Sequence, residues 1–110
     1  VNQYLKDIMA LEAPPTALIC AFDLLASYVE QQANLLKISI PDDLSLTGFD
    51  NSSLCSHLEI PLTSVAQNYE AIGKKVIELM NALRSGQPVQ SEYLMSSSIV
   101  ERASVRKLSQ

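Results

Sequence analysis

Apolar residues occur along the chain in blocks whose spacing changes between that of a helix and that of a buried strand. The first block has the i, i+3, i+4 spacing of a helical stripe and is followed by two prolines at 14–15. Its members are Val1, Tyr4, Leu5, Ile8 and Met9. The next block, 17–22, is apolar without interruption, which is typical of a parallel strand covered on both faces. The pattern therefore predicts a helix and then a buried strand.

A second helix and two more strands are predicted after this block. Asp23 stands where a helix N-cap belongs, and 24–36 has apolar residues at helical spacing. A buried strand is predicted over 44–49, after an exposed turn, and a short third strand over 62–66. Strands that alternate with helices favour an α/β architecture with a mostly parallel sheet. Because such sheets have more strands and are covered on both faces, we expect neighbouring elements outside this chain.

A last helix is predicted to start at Asn68 or its neighbour. Gly86 and Pro88 follow it in the order that marks a helix end. Two extended pieces, near 91–95 and 98–101, are expected before a polar, basic tail that begins at Arg102. The chain is thus predicted to be one uninterrupted α/β stretch over 1–110.

Composition narrows the classes of function. A length of 110 residues, 47% of them hydrophobic, allows one globular domain at most. A formal net charge of -4 argues against binding of nucleic acid or an anionic membrane by this chain alone. No apolar stretch approaches the ~20 residues of a membrane span. Cys20 and Cys55 have no partner at metal-ligand spacing, so we expect two reduced, buried thiols of a cytoplasmic protein, and no metal.

The sequence lacks the common catalytic and cofactor-binding motifs. The chain has no phosphate-binding glycine loop, nucleophile elbow or zinc-binding H-E-x-x-H helix, so neither a cofactor nor an enzyme is expected. His57 is the sole histidine, and its irregular, polar segment favours a surface or interface role over that of a catalytic base.

Polar and aromatic residues follow the predicted strands and make a ligand site the better hypothesis. In open α/β sheets the ligand crevice lies beyond the carboxyl ends of the strands. Asp50 stands at such an end and could accept hydrogen bonds from two vicinal hydroxyls, although it could equally be a turn residue. Phe22 and Tyr69 fit either a crevice or the core, whereas the N-cap role is favoured for Asp23.

Four motifs in order resemble the lactose-repressor (LacI/GalR) family of bacterial transcription regulators. Residues 15–23 resemble the family pattern P-T-A-I-x-x-x-N-D, and 40–51 resemble V-P-E-D-V-S-V-x-G-F-D-D. Residues 61–67 resemble P-L-T-T-V-x-Q, and 99–104 resemble L-V-x-R-x-S. Gly73 lies in the last helix, as it does in the family. The resemblance covers nearly the whole chain.

This resemblance implies a type I periplasmic-binding-protein-like fold, in which two lobes close around a small effector. The chain would be the C-terminal portion of the effector (sugar)-binding domain, mostly its C-terminal lobe. The parent protein would be a cytoplasmic, ligand-responsive repressor that binds operator DNA through a helix-turn-helix domain outside these residues. A periplasmic sugar-binding receptor of an uptake system is the alternative, and the ending V-x-R-x-S favours the repressor.

The resemblance also implies roles for particular residues. Asp50 would bind the hydroxyls or polar ring atoms of a sugar or related metabolite, and Tyr69 would pack on it. Phe22 departs from the family pattern, which often has Asn there, and suggests ring stacking. Lys37 replaces a helix-terminating glycine, so Asn34 is expected to end the second helix early.

A homodimer surface is implied as well. Ser27, Glu30 and Gln31 are expected on the non-core side of the second helix. His57 and Leu58 would extend the same surface.

Overall fold

The computed structural model describes residues 1–109, and these form four strands, three α-helices and one short 3₁₀ helix. In chain order the elements are α1 (Asn2–Met9), β1 (Ala17–Ile19), α2 (Asp23–Leu35), β2 (Ser45–Phe49), the 3₁₀ helix (Ser53–Ser56), β3 (Thr63–Gln67), α3 (Tyr69–Arg84) and β4 (Ser97–Val100). The sheet has the order β1-β2-β3-β4, and the β1–β2 and β2–β3 pairs are parallel. The predicted α/β class with a parallel sheet is therefore confirmed.

The chain divides into two compact units. The first contains Val1–Ala66 and the segment from Ile99 onward, and the second contains Gln67–Ser98. The core of the first unit lies between α2 and one face of the sheet, where Leu46 on β2 is fully buried opposite Leu18 on β1. Its buried apolar residues are Leu5, Cys20, Ala26, Val29, Ala33, Ile40, Leu44, Leu46, Cys55 and Leu62.

Strand β1 differs from its prediction. It spans three residues instead of six, and the side chain of Ile19 is 84% exposed, so the described residues cover only one face of this strand. The reason is the alternation of side chains along a strand: Leu18 points toward the core, while Ile19 points to the opposite face.

Both ends of α2 depart from the prediction. The N-cap residue is Phe22, and Asp23 is the first helical residue with its carboxylate engaged elsewhere, so the N-cap role predicted for Asp23 is wrong. At the other end the helix runs to Leu35, not to Asn34. Lys37 adopts φ 61°, in the left-handed region, and Ile38 N donates to Ala33 O at 2.9 Å. This is a Schellman-type helix end with lysine at the position that favours glycine.

In the second unit, α3 begins and ends as predicted. The Asn68 side chain caps it by accepting from Ala71 N at 3.0 Å, and Gly86 follows its end with φ 72°. None of the α3 residues is buried, so its apolar stripe remains open. The extended piece predicted near 91–95 is not part of a strand: that stretch has no regular secondary structure, and the Tyr93 hydroxyl accepts from Gln90 N at 3.1 Å.

The segment after β4 is held against the sheet. Ser104 is fully buried, and its Oγ donates to Leu46 O at 2.5 Å and accepts from Thr63 N at 2.8 Å. Leu46 N donates to Ser104 O at 2.8 Å, so one serine bridges β2 and the first residue of β3. The start of the segment predicted as a polar, basic tail is thus fixed on the sheet, because the polar groups of Arg102 and Ser104 bond to backbone atoms of distant segments. Within residues 1–109, no helix is long and apolar enough to cross a membrane.

Candidate functional site

Strand β2 ends in a turn with an unusual backbone conformation. Asp50 has φ 99° and Asn51 has φ 48°, both in the region that favours glycine. Asp50 N donates to Val65 O at 2.9 Å, so the ladder to β3 continues into the turn. Such strain costs free energy and persists only where surrounding contacts impose it; it occurs preferentially at ligand sites.

Ser64 and Arg102 impose this conformation. Asn51 N donates to Ser64 Oγ at 3.0 Å. The Arg102 guanidinium donates from Nη2 to Asn51 Oδ1 at 2.7 Å and from Nη1 to Leu62 O at 2.7 Å. A guanidinium that binds two fixed acceptors holds them in a defined geometry, and here it joins the turn after β2 to the residue before β3.

Asp23 also holds this turn, through hydrogen bonds of its buried carboxylate. It is 3% exposed, and its carboxylate accepts from Ser64 Oγ at 2.6 Å and from Ser52 N at 2.7 Å. Burial alone would raise the pKa of Asp23, but the hydrogen bonds from Ser64, Ser52 and the Cys55 thiol outweigh it and hold that pKa below its ordinary value. Burial and the neighbouring Asp23 raise the pKa of Cys55. The turn therefore rests on an ionised, hydrogen-bonded carboxylate.

Gly48 allows this approach of α2 to β2. An added Cβ would collide with Asp23 Oδ1 and would lie 2.9 Å from Leu62 Cδ2. The absence of a side chain at Gly48 is thus what lets Asp23 reach both of its donors.

The three predicted effector residues fall in both units. Phe22, 46% exposed, lies beyond the carboxyl end of β1, and half-buried Asp50 directly follows β2. Because β1 and β2 are parallel neighbours, these two residues share the carboxyl edge of the sheet. Tyr69, 57% exposed, is the first residue of α3 in the second unit, where its hydroxyl accepts from Gln67 Nε2 at 3.3 Å.

Two residues of the site were missed in the sequence: Ser64 and Arg102. A polar residue inside an apolar strand, as at Ser64, is the one local signal that could have indicated a buried network. Arg102 shows no comparable signal, because it meets Asn51 across 51 positions of sequence. Residues 1–109 contain no group of three or more His, Cys, Asp or Glu side chains placed to hold a metal ion.

The predicted dimer residues lie along α2 and the 3₁₀ helix that follows β2. Gln31 is exposed, whereas Ser27 and Leu58 are half-buried and line an open groove of about 490 Å³ between these elements. His57 is exposed, and its Nδ1 lies 2.6 Å from Ser53 O. Glu30 departs from the expectation of a non-core position: it is 9% exposed, because it faces the 58–60 segment, where Oε1 accepts from Ile60 N at 3.1 Å.

Comparison with known proteins shows what the chain resembles. A family model described as a periplasmic binding protein-like domain matches residues 2–105. The curated transcriptional repressor CytR of Escherichia coli is 35% identical over 108 residues, which are 97% of this chain and 32% of that protein. The chain thus spans about a third of the length of this curated relative.

Solved structures agree with the sequence comparison. A LacI family transcriptional regulator from Bifidobacterium animalis subsp. lactis superposes with a TM-score of 0.86 at 27% identity, over 94% of this chain and 38% of that one. A periplasmic binding protein/LacI transcriptional regulator from Alkaliphilus metalliredigens, solved with D-xylulofuranose, has a TM-score of 0.80 at 28% identity, over 96% and 38% of the two chains. The resemblance inferred from the four motifs is confirmed.

Proposed function

Because this chain belongs to the family of periplasmic-binding-protein-like domains, we propose that it forms part of the small-molecule effector site of a ligand-responsive transcriptional repressor. The relative CytR is a transcriptional repressor, which supports a regulator over a periplasmic receptor. The proposal includes a cytoplasmic location and binding of operator DNA through a domain outside these residues.

The observation that carries the proposal is the strained turn at Asp50 and Asn51. A turn with no function could relieve its strain by a glycine, whereas here two polar residues keep the costly conformation: Arg102 and Ser64 bond to Asn51, and Val65 O accepts from Asp50 N. Asp50 lies at the sheet edge where α/β folds bind ligands. A carboxylate held there can accept hydrogen bonds from two adjacent hydroxyl groups.

The effector class follows from these groups. A sugar or related metabolite offers vicinal hydroxyls to Asp50 and an apolar ring face to an aromatic side chain. Phe22 and Tyr69 are the exposed aromatic residues in the proposal. The regulator bound to D-xylulofuranose supports a sugar as the class.

Effector binding would act on DNA affinity by a shift in population. A ligand that contacts two lobes stabilises the arrangement in which both contacts are made, by its difference in affinity for the two arrangements. In this proposal the fixed Asp50 turn supplies the contact from one lobe, and the homodimer formed through the α2 surface carries the change to both DNA-binding domains.

Substitution of Asp50 tests the proposal in the intact regulator. Asp50→Gly removes the carboxylate and also relieves the left-handed strain, so it separates binding from folding. A thermal-shift screen of sugars and nucleosides identifies an effector, whose affinity we expect to fall about 10- to 150-fold in the variant, the equivalent of about 1.5–3 kcal/mol. Asp42→Gly, in the exposed turn before β2, is the control. Unchanged effector affinity in Asp50→Gly would remove Asp50 from the site and refute the proposal.

A further inference from the structure

One buried carboxylate oxygen lacks a partner. Glu30 on α2 is 9% exposed, and its Oε1 accepts from Ile60 N at 3.1 Å. Its Oε2 is buried and has no hydrogen-bond partner among the described residues. An unsatisfied oxygen of this kind is costly, and in native proteins such oxygens accept from a protein group, an ordered water or a bound ligand.

This oxygen belongs to a small pocket of about 170 Å³ between α2 and the segments 38–40 and 59–60. Its walls combine two carboxylates, an amide and a hydroxyl with three apolar side chains, namely Glu30, Glu59, Asn34, Ser39, Ile38, Ile40 and Ile60. Asn34 Nδ2 donates to Glu59 Oε2 at 3.3 Å, which holds the second carboxylate at the pocket. All of these residues belong to the first unit.

We infer that this pocket binds an ammonium or guanidinium group carried on an aliphatic stem. Such a group brings N–H donors for Glu30 Oε2 and a positive charge between two carboxylates. The three isoleucines can pack against the methylene groups of the stem. A bare metal ion fits less well, because hard cations take six or more oxygen ligands and three of the seven wall residues are isoleucines with none to offer from their side chains.

The electrostatics agree with this assignment. Burial raises the pKa of Glu30, and the charge of Glu59 adds to the effect, while the backbone N–H groups of Ile60 and Glu59 oppose it. Glu59 is the charged group that faces Glu30 in the pocket, and Lys37, next to the pocket wall, is exposed. A bound cation would compensate both carboxylates, so its binding and the ionisation of Glu30 favour each other.

Two sources can supply the ammonium or guanidinium group. One is a free amine or guanidine, and the other is a lysine or arginine side chain of a second copy of this chain. The inference does not depend on the effector site at Asp50, since it rests on different residues.

Titration of the full chain with n-propylammonium and methylguanidinium tests the inference by calorimetry. We expect saturable binding, with tetramethylammonium bound at least about tenfold more weakly because it has the charge but no N–H donor. Glu30→Gln keeps the acceptor for Ile60 N but removes the charge, and should weaken binding about tenfold or more. Affinity should fall as pH is lowered toward protonation of Glu30, and this pH dependence should be lost in Glu30→Gln.

Controls keep the test decisive. Glu70→Gln, on exposed α3 where Glu70 pairs with Lys74, should leave binding unchanged. If Glu30→Gln does not fold, Glu59→Gln replaces it in the test. Glu59 is exposed, so this variant should fold, and it should still weaken binding several-fold. No binding of either probe, or equal binding of tetramethylammonium, would overturn the inference.

Sedimentation distinguishes the two sources. If a second copy supplies the cation, the chain should self-associate, and n-propylammonium should dissociate it by competition. If the ligand is a free amine, the probe should bind without changing the sedimentation coefficient. In both cases Glu30→Gln should weaken what is measured, which is self-association in the first case and binding of the probe in the second. Self-association or probe binding as strong in the variant as in wild type would contradict the inference.

Discussion

Gly48→Ala should destabilise the fold strongly, because the new methyl group has no space. Gly48 is buried in β2, and its Cβ would collide with Asp23 Oδ1, lie 2.9 Å from Leu62 Cδ2 and lie 3.2 Å from Asp23 Cα. The best separation between carbon atoms is about 3.5–4.0 Å, so both neighbours would have to move. The Cα atom of Asp23 belongs to the backbone, so a change of side-chain rotamer cannot move it away.

The magnitude follows from two contributions. Overpacking of a core costs about 1–3 kcal/mol. Displacement of Asp23 would also weaken its hydrogen bond from Ser64 Oγ, and a bond to a charged group contributes about 1.5–3 kcal/mol. We therefore expect the free energy of unfolding to fall by about 2.5–6 kcal/mol.

Gly73 on α3 is the matched control, because its substitution by alanine should change the stability in the opposite direction. An added Cβ at Gly73 meets nothing within 4 Å, and glycine inside a helix costs about 0.5–1 kcal/mol relative to alanine. Gly73→Ala should thus raise stability or helix content. Urea unfolding followed by far-ultraviolet circular dichroism measures both variants, and a Gly48→Ala protein as stable as wild type would refute the close approach of α2 and β2.

Two further substitutions examine buried charge and backbone strain. Asp23→Asn should lower the free energy of unfolding by about 1.5–3 kcal/mol near pH 7. Since the folded-state pKa of Asp23 is lowered, its contribution is present above the unfolded value of about 3.9 and is lost as pH falls through the folded value; the gap to wild type in urea titrations should therefore close below about pH 4. Asp42→Asn, in an exposed turn, should show no such gap, and a gap that persists at low pH would contradict the assignment. Lys37→Gly should raise stability by about 0.5–1 kcal/mol by relieving φ 61°, so a less stable variant would argue against that conformation.

Local patterns in the sequence predicted most of the elements. Helix α3 was predicted from its apolar spacing, from Asn68 as a capping residue and from the glycine at Gly86, all of which depend on neighbouring residues. The position of Asp50 at the sheet edge was also predictable, because the carboxyl ends of parallel strands meet there. Each of these features is determined by a few residues within one segment of the chain.

Features that depend on distant segments were missed. Asp23 has the local signature of an N-cap, but its carboxylate binds Ser64, 41 positions away, because burial makes those donors more favourable than the helix N–H groups. The contacts of Arg102 were missed for the same reason, since its acceptors lie 40 and 51 positions earlier. The extended piece predicted near 91–95 joins no strand, because strand pairing depends on segments far away in the sequence.

Ser104 has a consequence for the kinetics of folding. Its hydroxyl reaches Leu46 across 58 positions and Thr63 across 41, so docking the segment around Ser104 onto β2 and β3 requires closure of large loops. Contacts of such high sequence separation form slowly, because the entropy of the intervening chain is lost before any bond compensates for it. The α1–β1–α2–β2 region can therefore collapse early on local contacts, while the amino-terminal edge of the sheet is sealed in one of the last steps.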